Sequence, residues 1–598
     1  MGSIAVILFR SGAIQPATVR RMLLSAPHRG TDLQIKERGS CVVGVSNSAD
    51  LVDSTISGDG DIIGVFSGRL DNSGDLYGHL SESGHQPASS EPADIVVSAF
   101  KLYGLDAPGR LRGTFAGILS DGNRVWCFRD HLGLKSLFYR DDPKVFFIAT
   151  EAKQIIAGAA ISREPNLPAI EDIFYRRKED EISCALQGVS RLPQATTVTV
   201  TATKPSSAYR YWRPAELLET ASIAPGDVGE KFNELFARAV RRSMTGEDVI
   251  SLSGGVDSSV IAAYAGPQHL GLTGRPLTAL SAVFPDLPKV DESRYIKMIV
   301  DFLGMDLHTY RIKAGMLDDV QHWCNLLDGP IPNVAIPEMH ENFVLARQLG
   351  FRNVLTGELA EFVIAFHFHT LAHLWTHVRW KALWRLIETE LQRGKSRRGI
   401  VKQLLRASVP GAALNWYSRL KHGDRPGNLP DWVDPSYFDR GRSPRGAHSP
   451  PRKRWTEQQL LAFDGSTFMM DADDICAAVG GVTVRRPFVD IDLWEFFLSL
   501  PAEIKFPDLR SKTLVRQLVR GKLPNEIVDR RDKTVFNDHT MSQVDYPTLR
   551  QFLIRPNYQL PGVDYRLLSD RIERQQINFV DWLWAITLVR IHAFLSLW

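Results

Sequence analysis

The chain has 598 residues, which at roughly 150 residues a domain allows about four domains and a large buried core. That length excludes a peptide, a disulfide-rich toxin scaffold or a lone binding module. Apolar residues make up 44% and charged residues 23% of the sequence, as in ordinary globular proteins. Lysine and arginine number 71 against 68 aspartates and glutamates, and the net charge of +3 does not predict a nucleic-acid partner.

The five cysteines are scattered, and no two of them form a C-x-x-C pair. This pattern favours a reducing compartment over a disulfide framework or a cysteine-rich zinc site. The N-terminus lacks the basic region of a secretory signal, so its short apolar run predicts a first β-strand. No uncharged stretch, including the histidine-containing one at 362–378, reaches the roughly 20 residues that span a bilayer. We therefore predict a cytoplasmic protein without a transmembrane segment.

The composition and hydrophobic pattern of the sequence change twice along its length. Residues 1–210 carry short β-branched runs separated by glycine, aspartate and asparagine, which predicts a layered β-rich domain. After a linker over 211–227, residues 228–365 alternate helical periodicity with apolar strands, which predicts a parallel α/β sheet. We expect residues 456–598, mostly helical, to complete that second domain.

Residues 366–455 form a basic insertion, with 18 lysines and arginines against six acidic residues. Its tryptophan- and arginine-rich helices lead into a stretch rich in proline, glycine, arginine and serine. Two interpretations stay open: a solvated segment, or a docking element for a peptide substrate or for the partner that delivers it. His369, His373 and His377 share one helix face, but without a carboxylate or fourth ligand they indicate an interface helix rather than a zinc site.

The strongest chemical signal lies between a strand over 248–252 and a helix over 256–265. The intervening serine and glycines form a tight loop whose amides, together with the helix N-terminus, form an anion site suited to phosphate oxygens. The loop lacks the pattern of kinases and GTPases, so it does not predict cleavage of the β,γ bond. The candidate residues for ATP and pyrophosphate are Leu252, Ser253, Gly254, Gly255, Asp257, Ser258 and Ser259. Among them, Asp257 can ligate Mg²⁺.

These residues carry a family resemblance. The string S-G-G-V-D-S-S at 253–259 resembles the pyrophosphate loop of the ATP-pyrophosphatase group, and the rest resembles the asparagine synthetase class. Motifs of its glutaminase domain match at 28–32, 111–116, 129–134 and 147–151, and synthetase landmarks match at 356–358, 486–490, 499–501 and 531–536. The resemblance implies an α/β protein that uses ATP and Mg²⁺. It would combine an N-terminal Ntn-type, glutaminase-like αββα domain with a doubly wound, parallel-sheet ATP-pyrophosphatase (adenine nucleotide α-hydrolase-like) domain.

The resemblance also implies roles in the second domain. Val283 and Gly357 would contact the nucleotide. Lys533 would hold pyrophosphate, the alternative being a surface lysine. Glu358 would act as a base or orient the substrate, the alternative being a hydrogen-bond acceptor for the ribose or the amine. Glu361 stands where the family's G-E-G-S-D-E string has a metal-binding aspartate.

Two acidic residues leave alternatives open. The string at 357–362 reads G-E-L-A-E-F, so Glu361 is either a metal ligand or an ion-paired or solvated glutamate, and the substituted pair Leu359 and Ala360 could reshape the pocket. Asp328 matches an acidic landmark and either lines the substrate pocket or caps a turn.

The first domain departs from the family pattern at two points. Glutaminases of this type use a cysteine directly after the initiator methionine, and this chain has Gly2 there. The family's Asn-Gly-Glu is replaced by a Ser-Gly-Arg string that ends at Arg69. Cys41 and Cys127 lie within expected strands without a paired base, so they are poor substitutes. We interpret the domain as a structural or docking remnant.

Without a nitrogen source of its own, the enzyme must receive the attacking amine as part of its substrate. The chain most resembles lasso-peptide cyclases, which would join the N-terminal amine of a linear core peptide to an Asp or Glu side chain. The implied partners are that peptide, a leader-recognition protein and a leader peptidase. The alternatives are an ammonia-dependent asparagine synthetase, a β-lactam synthetase-like ligase and a non-catalytic binding protein.

Overall fold

The computed structural model describes the chain apart from residues 12–14, 59, 176–181, 202–205, 331–334, 365–369, 409–428, 439–466, 509 and 531–533. The first part contains two six-stranded antiparallel sheets, ordered β10-β8-β9-β1-β3-β2 and β12-β11-β7-β6-β5-β4. The strands are β1 Ser3–Phe9, β2 Asp32–Arg38, β3 Cys41–Asn47, β4 Ser54–Ile56, β5 Ile63–Gly68, β6 Phe115–Ser120, β7 Arg124–Arg129, β8 Phe138–Asp141, β9 Val145–Ala149, β10 Ser190–Arg191, β11 Thr196–Thr201 and β12 Ser207–Arg210.

Helices cover the outer face of each sheet. They are α1 Pro16–Leu24, α2 Ser73–Glu82, α3 Pro92–Tyr103, α4 Ala107–Arg110, α5 Ala152–Ala159 and α6 Leu167–Phe174. Strand β1 lies between two hydrophobic cores. Its residues Ile4, Val6 and Leu8 enter the core between the sheets, whereas Ala5 and Ile7 face the core under the helices. Because both faces are buried, the strand is a continuous apolar run. The expected αββα layering is confirmed.

The second part is built on a five-stranded parallel sheet, ordered β15-β14-β13-β16-β17. Its strands are β13 Asp248–Ser251, β14 Thr278–Ala282, β15 Asp306–Tyr310, β16 Asn353–Leu355 and β17 Thr483–Arg485. Ile250 and Val249, neighbours on β13, enter different hydrophobic cores, so both faces of the sheet are covered. The expected doubly wound sheet is confirmed. The strand order reverses at β13, and such sheets bind ligands beyond the carboxyl ends of their strands at that point.

Helices account for most of the remaining structure. Those up to the insertion are α7 Val228–Ser243, α8 Val256–Thr273, α9 Ser293–Leu303, α10 Val320–Leu326, α11 Ile336–Gln348 and α12 Ala360–Ile364. Those of the insertion are α13 Thr370–Thr376, α14 Trp380–Gln392, α15 Arg397–Ser408 and α16 Pro435–Phe438. The last group is α17 Thr467–Gly480, α18 Ile491–Ser499, α19 Ala502–Lys505, α20 Thr513–Leu518, α21 Asn525–Asp529, α22 Asn537–Ser542, α23 Tyr546–Leu553, α24 Tyr565–Glu573 and α25 Phe579–Leu595.

The two parts share a hydrophobic core. Helix α25 contributes Trp582, Ile586 and Val589 to the same cluster that holds Ile7 of β1 and Phe174 of α6. Within the described residues, no helix has both the length and the apolar character needed to cross a membrane.

The histidine face of the insertion has a structural partner. His373 is buried, its Nε2 atom lies 3.2 Å from a carboxylate oxygen of Glu219, and its ring lies 4.3 Å from that of His377. His369 lies outside the described residues. The part of the chain that is described contains no group of three or more potential metal ligands, and the Glu219 contact favours the interface interpretation.

Candidate active site

The predicted phosphate loop lies at the point where the strand order reverses. Leu252 is buried, and its amide donates to the carbonyl of Leu280 on β14. Gly255 occupies the N-cap of α8, where no side chain caps the helix. The first-turn amides therefore face the crevice with the positive end of the helix dipole. Position 254 has space only for glycine, since a Cβ there would lie 2.8 Å from the Cβ of Tyr295.

Three hydroxyls brace this loop. The Oγ atoms of Ser253 and Ser258 lie 3.0 Å apart, and the Ser253 amide donates to Ser258 Oγ at 3.1 Å. Ser259 donates to the carbonyl of Gly255 at 2.6 Å, so its hydroxyl fixes the helix start. Of these serines, Ser253 is exposed, and its hydroxyl is the best placed to reach a ligand.

A second brace comes from residues that the sequence argument did not single out. Arg530 donates to the carbonyl of Gly254 at 2.8 Å and to Glu292 at 2.9 Å, and the Gly254 amide donates to Glu292 at 3.0 Å. Thr534 donates to the same carboxylate at 2.6 Å. Lys533 lies outside the described residues, but Arg530 and Thr534 on either side of it contact this brace.

Asp257 has the features expected of a phosphate-metal ligand. One of its carboxylate oxygens accepts a hydrogen bond from Lys512, and the other is buried without a hydrogen-bond partner. Mg²⁺ bound with nucleotides takes one or two protein carboxylates beside the phosphates, so the orphaned oxygen fits such an ion. Lys512 is a second residue that the sequence argument missed.

Further cations surround Asp257. Burial, together with the neighbouring guanidinium groups of Arg510 and Arg530, lowers the pKa of Arg516, whereas Asp257 opposes that shift. Several guanidinium groups therefore lie within electrostatic reach of one another near Asp257, with Asp529 as a further opposing carboxylate. The crevice is suited to a polyanion such as a triphosphate.

Gly357 and Glu358 lie directly beside the loop. A Cβ at Gly357 would lie 2.8 Å from the amide nitrogen of Ser258 and 3.0 Å from the Cβ of Asp257. The side chain of Glu358 is 40% exposed and pairs through Oε2 with Arg486 at 2.8 Å, and Arg486 also contacts Asp473 at 3.1 Å. Burial lowers the pKa of Arg486, but these two carboxylates outweigh it and the net pKa is raised. Glu358 is therefore held in place from α17.

Three other predicted residues make different contacts. Glu361 is exposed on the first turn of α12 and makes no hydrogen bond or ion pair with a described residue, so its role as a metal ligand stays a prediction. Val283 is half-buried after β14, and its amide donates to the carbonyl of Tyr310. Asp328 is buried against the first domain, where it accepts from the Lys153 amide at 2.9 Å and from Arg163 at 3.1 Å. Its carboxylate therefore serves the interface with the first domain, and its place in a substrate pocket stays a prediction.

Helix α17 links that interface to the active site. Asp471 pairs with Arg129 at 2.7 Å and with Arg191 at 2.5 Å, and all three side chains are almost completely buried. Asp474 pairs with Arg29 at 2.7 Å. Burial raises the pKa of Asp474, but Arg29 and Lys135 lower it more, to about 2. Since Asp473 on the same helix contacts Arg486, the first domain anchors the element that positions Glu358.

The first domain has no room for the missing nucleophile. The Gly2 amide donates to Asp53, and a Cβ at position 2 would lie 2.5 Å from both Asn47 Oδ1 and Ser54 Oγ. Burial raises the pKa of the Cys41 thiol to about 12 and that of Cys127 higher still. Neither thiol is therefore activated.

The Ser-Gly-Arg string that stands in place of the family's Asn-Gly-Glu does not leave its arginine unpaired. Arg69 pairs with Asp71 through two hydrogen bonds of 2.8 and 2.7 Å.

Comparison with known proteins gives a consistent result. Residues 231–557 match the asparagine synthase family model, and residues 1–212 match a glutamine amidotransferase domain. The chain is 23% identical to the glutamine-hydrolysing asparagine synthetase 3 of Bacillus subtilis, over 78% of this chain and 74% of that protein. It is 24% identical to the amidase chyE of Penicillium rubens, over 84% and 82% of the two chains. The carboxyethyl-arginine beta-lactam-synthase of Streptomyces clavuligerus is 28% identical over 34% of this chain and 37% of its own length.

Proposed function

Because this chain belongs to the asparagine synthase family of ATP-dependent amide ligases, we propose that it is a lasso-peptide cyclase. Its substrate would be a linear core peptide without its leader, closed into a macrolactam between the N-terminal amine and an Asp or Glu side chain. One observation carries this proposal: Gly2 stands in the nucleophile's position with no space for a side chain. We infer from this that the chain does not release ammonia from glutamine and that its substrate brings its own nitrogen.

The first step is adenylation. An oxygen of the substrate carboxylate attacks the α-phosphorus of ATP, the bond from that phosphorus to the pyrophosphate oxygen breaks, and acyl-adenylate and pyrophosphate result. Negative charge accumulates on the leaving pyrophosphate, where the first-turn amides of α8 and the cations Lys512 and Arg516 stabilise it. Asp257, and by resemblance Glu361, would hold Mg²⁺, which neutralises phosphate charge when bound.

The second step is amide formation. The neutral amine attacks the acyl carbon, the bond from that carbon to the AMP oxygen breaks, and one proton leaves the nitrogen. Glu358 is the carboxylate best placed to orient the amine and take that proton. Arg486 occupies its Oε2 atom, whereas its Oε1 atom makes no hydrogen bond with a described residue. Ring closure also requires the peptide to be held with its reacting ends together.

The other ligases of this type differ in their acceptor nitrogen. The beta-lactam-synthase relative supports an acceptor carried within the substrate, since the name of that enzyme denotes ring formation. An ammonia-dependent asparagine synthetase would instead need free aspartate and ammonium.

The proposal is tested by incubating the purified chain with ATP, Mg²⁺ and synthetic leaderless core peptides. We expect peptide-dependent release of pyrophosphate and a product lighter than the peptide by one water. A peptide with an acetylated N-terminus should be adenylated without cyclising. Turnover of free aspartate with ammonium, or release of glutamate from glutamine, would contradict the proposal. A leader-recognition protein and a leader peptidase would supply the substrate, so adding them to the full-length precursor should restore product formation.

A further inference from the structure

Two helices of the basic insertion each expose apolar side chains next to cationic ones. Trp380 and Trp384, one turn apart on α14, are 52% and 64% exposed. Val401 and Leu405, one turn apart on α15, are 52% and 60% exposed. We call these four residues, with the exposed cations Lys381, Arg385, Arg397, Arg398 and Lys402, the Trp–Arg face. Exposed apolar side chains clustered in this way are typical of an interaction surface.

Helix α14, which carries the two tryptophans, packs against a small hydrophobic core. Leu383 and Leu386 on the opposite side of α14 are buried in a small core with Leu371 and Leu374 of α13. Arg393, which follows α14, pairs with Asp508 at 2.6 Å. Trp380 begins α14 and Trp384 lies one turn further, so both belong to a helix that packs against its neighbours.

Across the part of the chain that the structure describes, the charges of the Trp–Arg face have no ion-pair partner. Residues 378–408 contain nine lysines and arginines against two glutamates. One of these glutamates, Glu390, is already engaged by Arg393 and Lys395. The five cations of the face form no ion pair with a described acidic residue, and only Glu388 adds an exposed negative charge on these helices. The face therefore has a strong positive field that a negatively charged surface would complement.

We propose that the Trp–Arg face docks this protein on the surface of an anionic lipid bilayer. Tryptophan rings lie at the level of lipid headgroups, and aliphatic side chains enter the adjoining acyl region. Lysine and arginine interleaved with them attract anionic headgroups without needing a defined geometric match. A nucleic-acid backbone would use the cations but would leave Val401 and Leu405 without a partner. A lipid surface engages both kinds of side chain.

Cosedimentation of the full chain with vesicles tests this proposal. The protein should sediment with mixed phosphatidylcholine–phosphatidylglycerol vesicles, only weakly with phosphatidylcholine vesicles, and less in high salt. The Lys381→Gln/Arg385→Gln variant should bind about fivefold more weakly for each cation removed. The Trp380→Ser/Trp384→Ser variant should lose about tenfold, because binding scales with the apolar area inserted.

Matched controls change similar side chains elsewhere. Lys101→Gln/Lys144→Gln removes two exposed cations of the first domain, and Leu270→Ser/Leu272→Ser removes two exposed leucines of α8. Both controls should sediment like the parent, and all variants should keep its unfolding temperature. The proposal is overturned if the parent stays in solution with anionic vesicles, or if the charge variant and the tryptophan variant sediment as fully as the parent. Either result would point to an acidic protein partner or to coverage by this chain itself.

Discussion

Lys512 donates a hydrogen bond to Asp257 from 255 positions further along the chain. The lysine stands in the left-handed region, with φ of 64°, at the start of α20, whereas the aspartate lies on the first turn of α8. The other carboxylate oxygen of Asp257 is buried without a partner. The cation and the orphaned oxygen together fit a metal-bound triphosphate, and we therefore predict that Lys512 binds phosphate.

Replacing Lys512 with methionine should therefore lower the rate of pyrophosphate release at saturating ATP by about 100-fold, since a preorganised charge on the leaving group is lost. Steady-state kinetics of pyrophosphate release measure the effect. Lys297→Met, which removes an exposed lysine paired with Asp301 on α9, is the control and should keep the parent rate. An unchanged rate in Lys512→Met would remove the lysine from the site.

The contact between Asp473 and Arg486 leads to a second prediction. Asp473→Asn removes one of the two carboxylates that hold Arg486, so Glu358 loses its fixed orientation. We expect amide formation to slow by about tenfold, because a loosened catalytic group is misplaced in the transition state. ATP–pyrophosphate exchange, which reports adenylation alone, should stay near the parent value.

Glu358→Gln tests whether this carboxylate acts in amide formation or in adenylation. It should abolish most amide formation while retaining the exchange reaction. If both reactions fall together in Asp473→Asn and in Glu358→Gln, the carboxylate acts in nucleotide binding instead.

The sequence predicted those parts of the site that are local in the chain. The strand, the glycine loop and the start of α8 are contiguous, so their residue types alone indicate the geometry of the phosphate loop. The identity of residue 2 alone likewise indicated that the family's cysteine nucleophile is missing. The structure adds that the position cannot hold a larger side chain.

The parts that the sequence could not predict depend on distant partners. Arg530 contacts Gly254 from 276 positions away, and Asp473 acts through Arg486, so neither has a local signal. The partners of Asp328 are likewise distant in the chain. An acidic residue near a turn looks alike in a pocket and at an interface until the positions of Lys153 and Arg163 are known.

The buried triad at the domain interface provides a stability test. Asp471→Asn would leave Arg129, which is fully buried, and Arg191 without their carboxylate. Breaking a buried pair on one side costs about 3–5 kcal/mol. Calorimetric unfolding should show a lowered first transition, and proteolysis within 211–227 should be faster. Asp570→Asn on α24, whose partner Arg574 is exposed, should leave both measurements unchanged. Parent-like unfolding of Asp471→Asn would show that the two parts do not depend on this contact.

The buried Lys505 should make the free energy of unfolding depend on pH. It is buried, and burial lowers the pKa of its ammonium group to about 7 although Glu219 opposes the shift. Between about pH 7 and the ordinary lysine pKa near 10.4, the unfolded chain binds more protons at this residue than the folded chain, so its contribution to stability rises with pH. Lys505→Met should therefore stabilise the protein at pH 7, and this advantage should shrink toward pH 10. Denaturant unfolding of both proteins across this range measures it, and a constant difference would refute the shifted pKa.

Gly2→Cys tests whether the first domain can regain its lost chemistry. The family uses a cysteine at this position, but here the added side chain would meet the carbonyl of Ser46 and the side chains of Asn47 and Ser54. Overpacking of a tight site costs about 1–3 kcal/mol, so the variant should unfold at a lower temperature and release no glutamate from glutamine. Gly74→Cys, at a position with nothing within 4 Å of an added Cβ, controls for the new thiol. Glutaminase activity in Gly2→Cys would show that the domain retains a working glutamine site, and the nitrogen source would then have to be reconsidered.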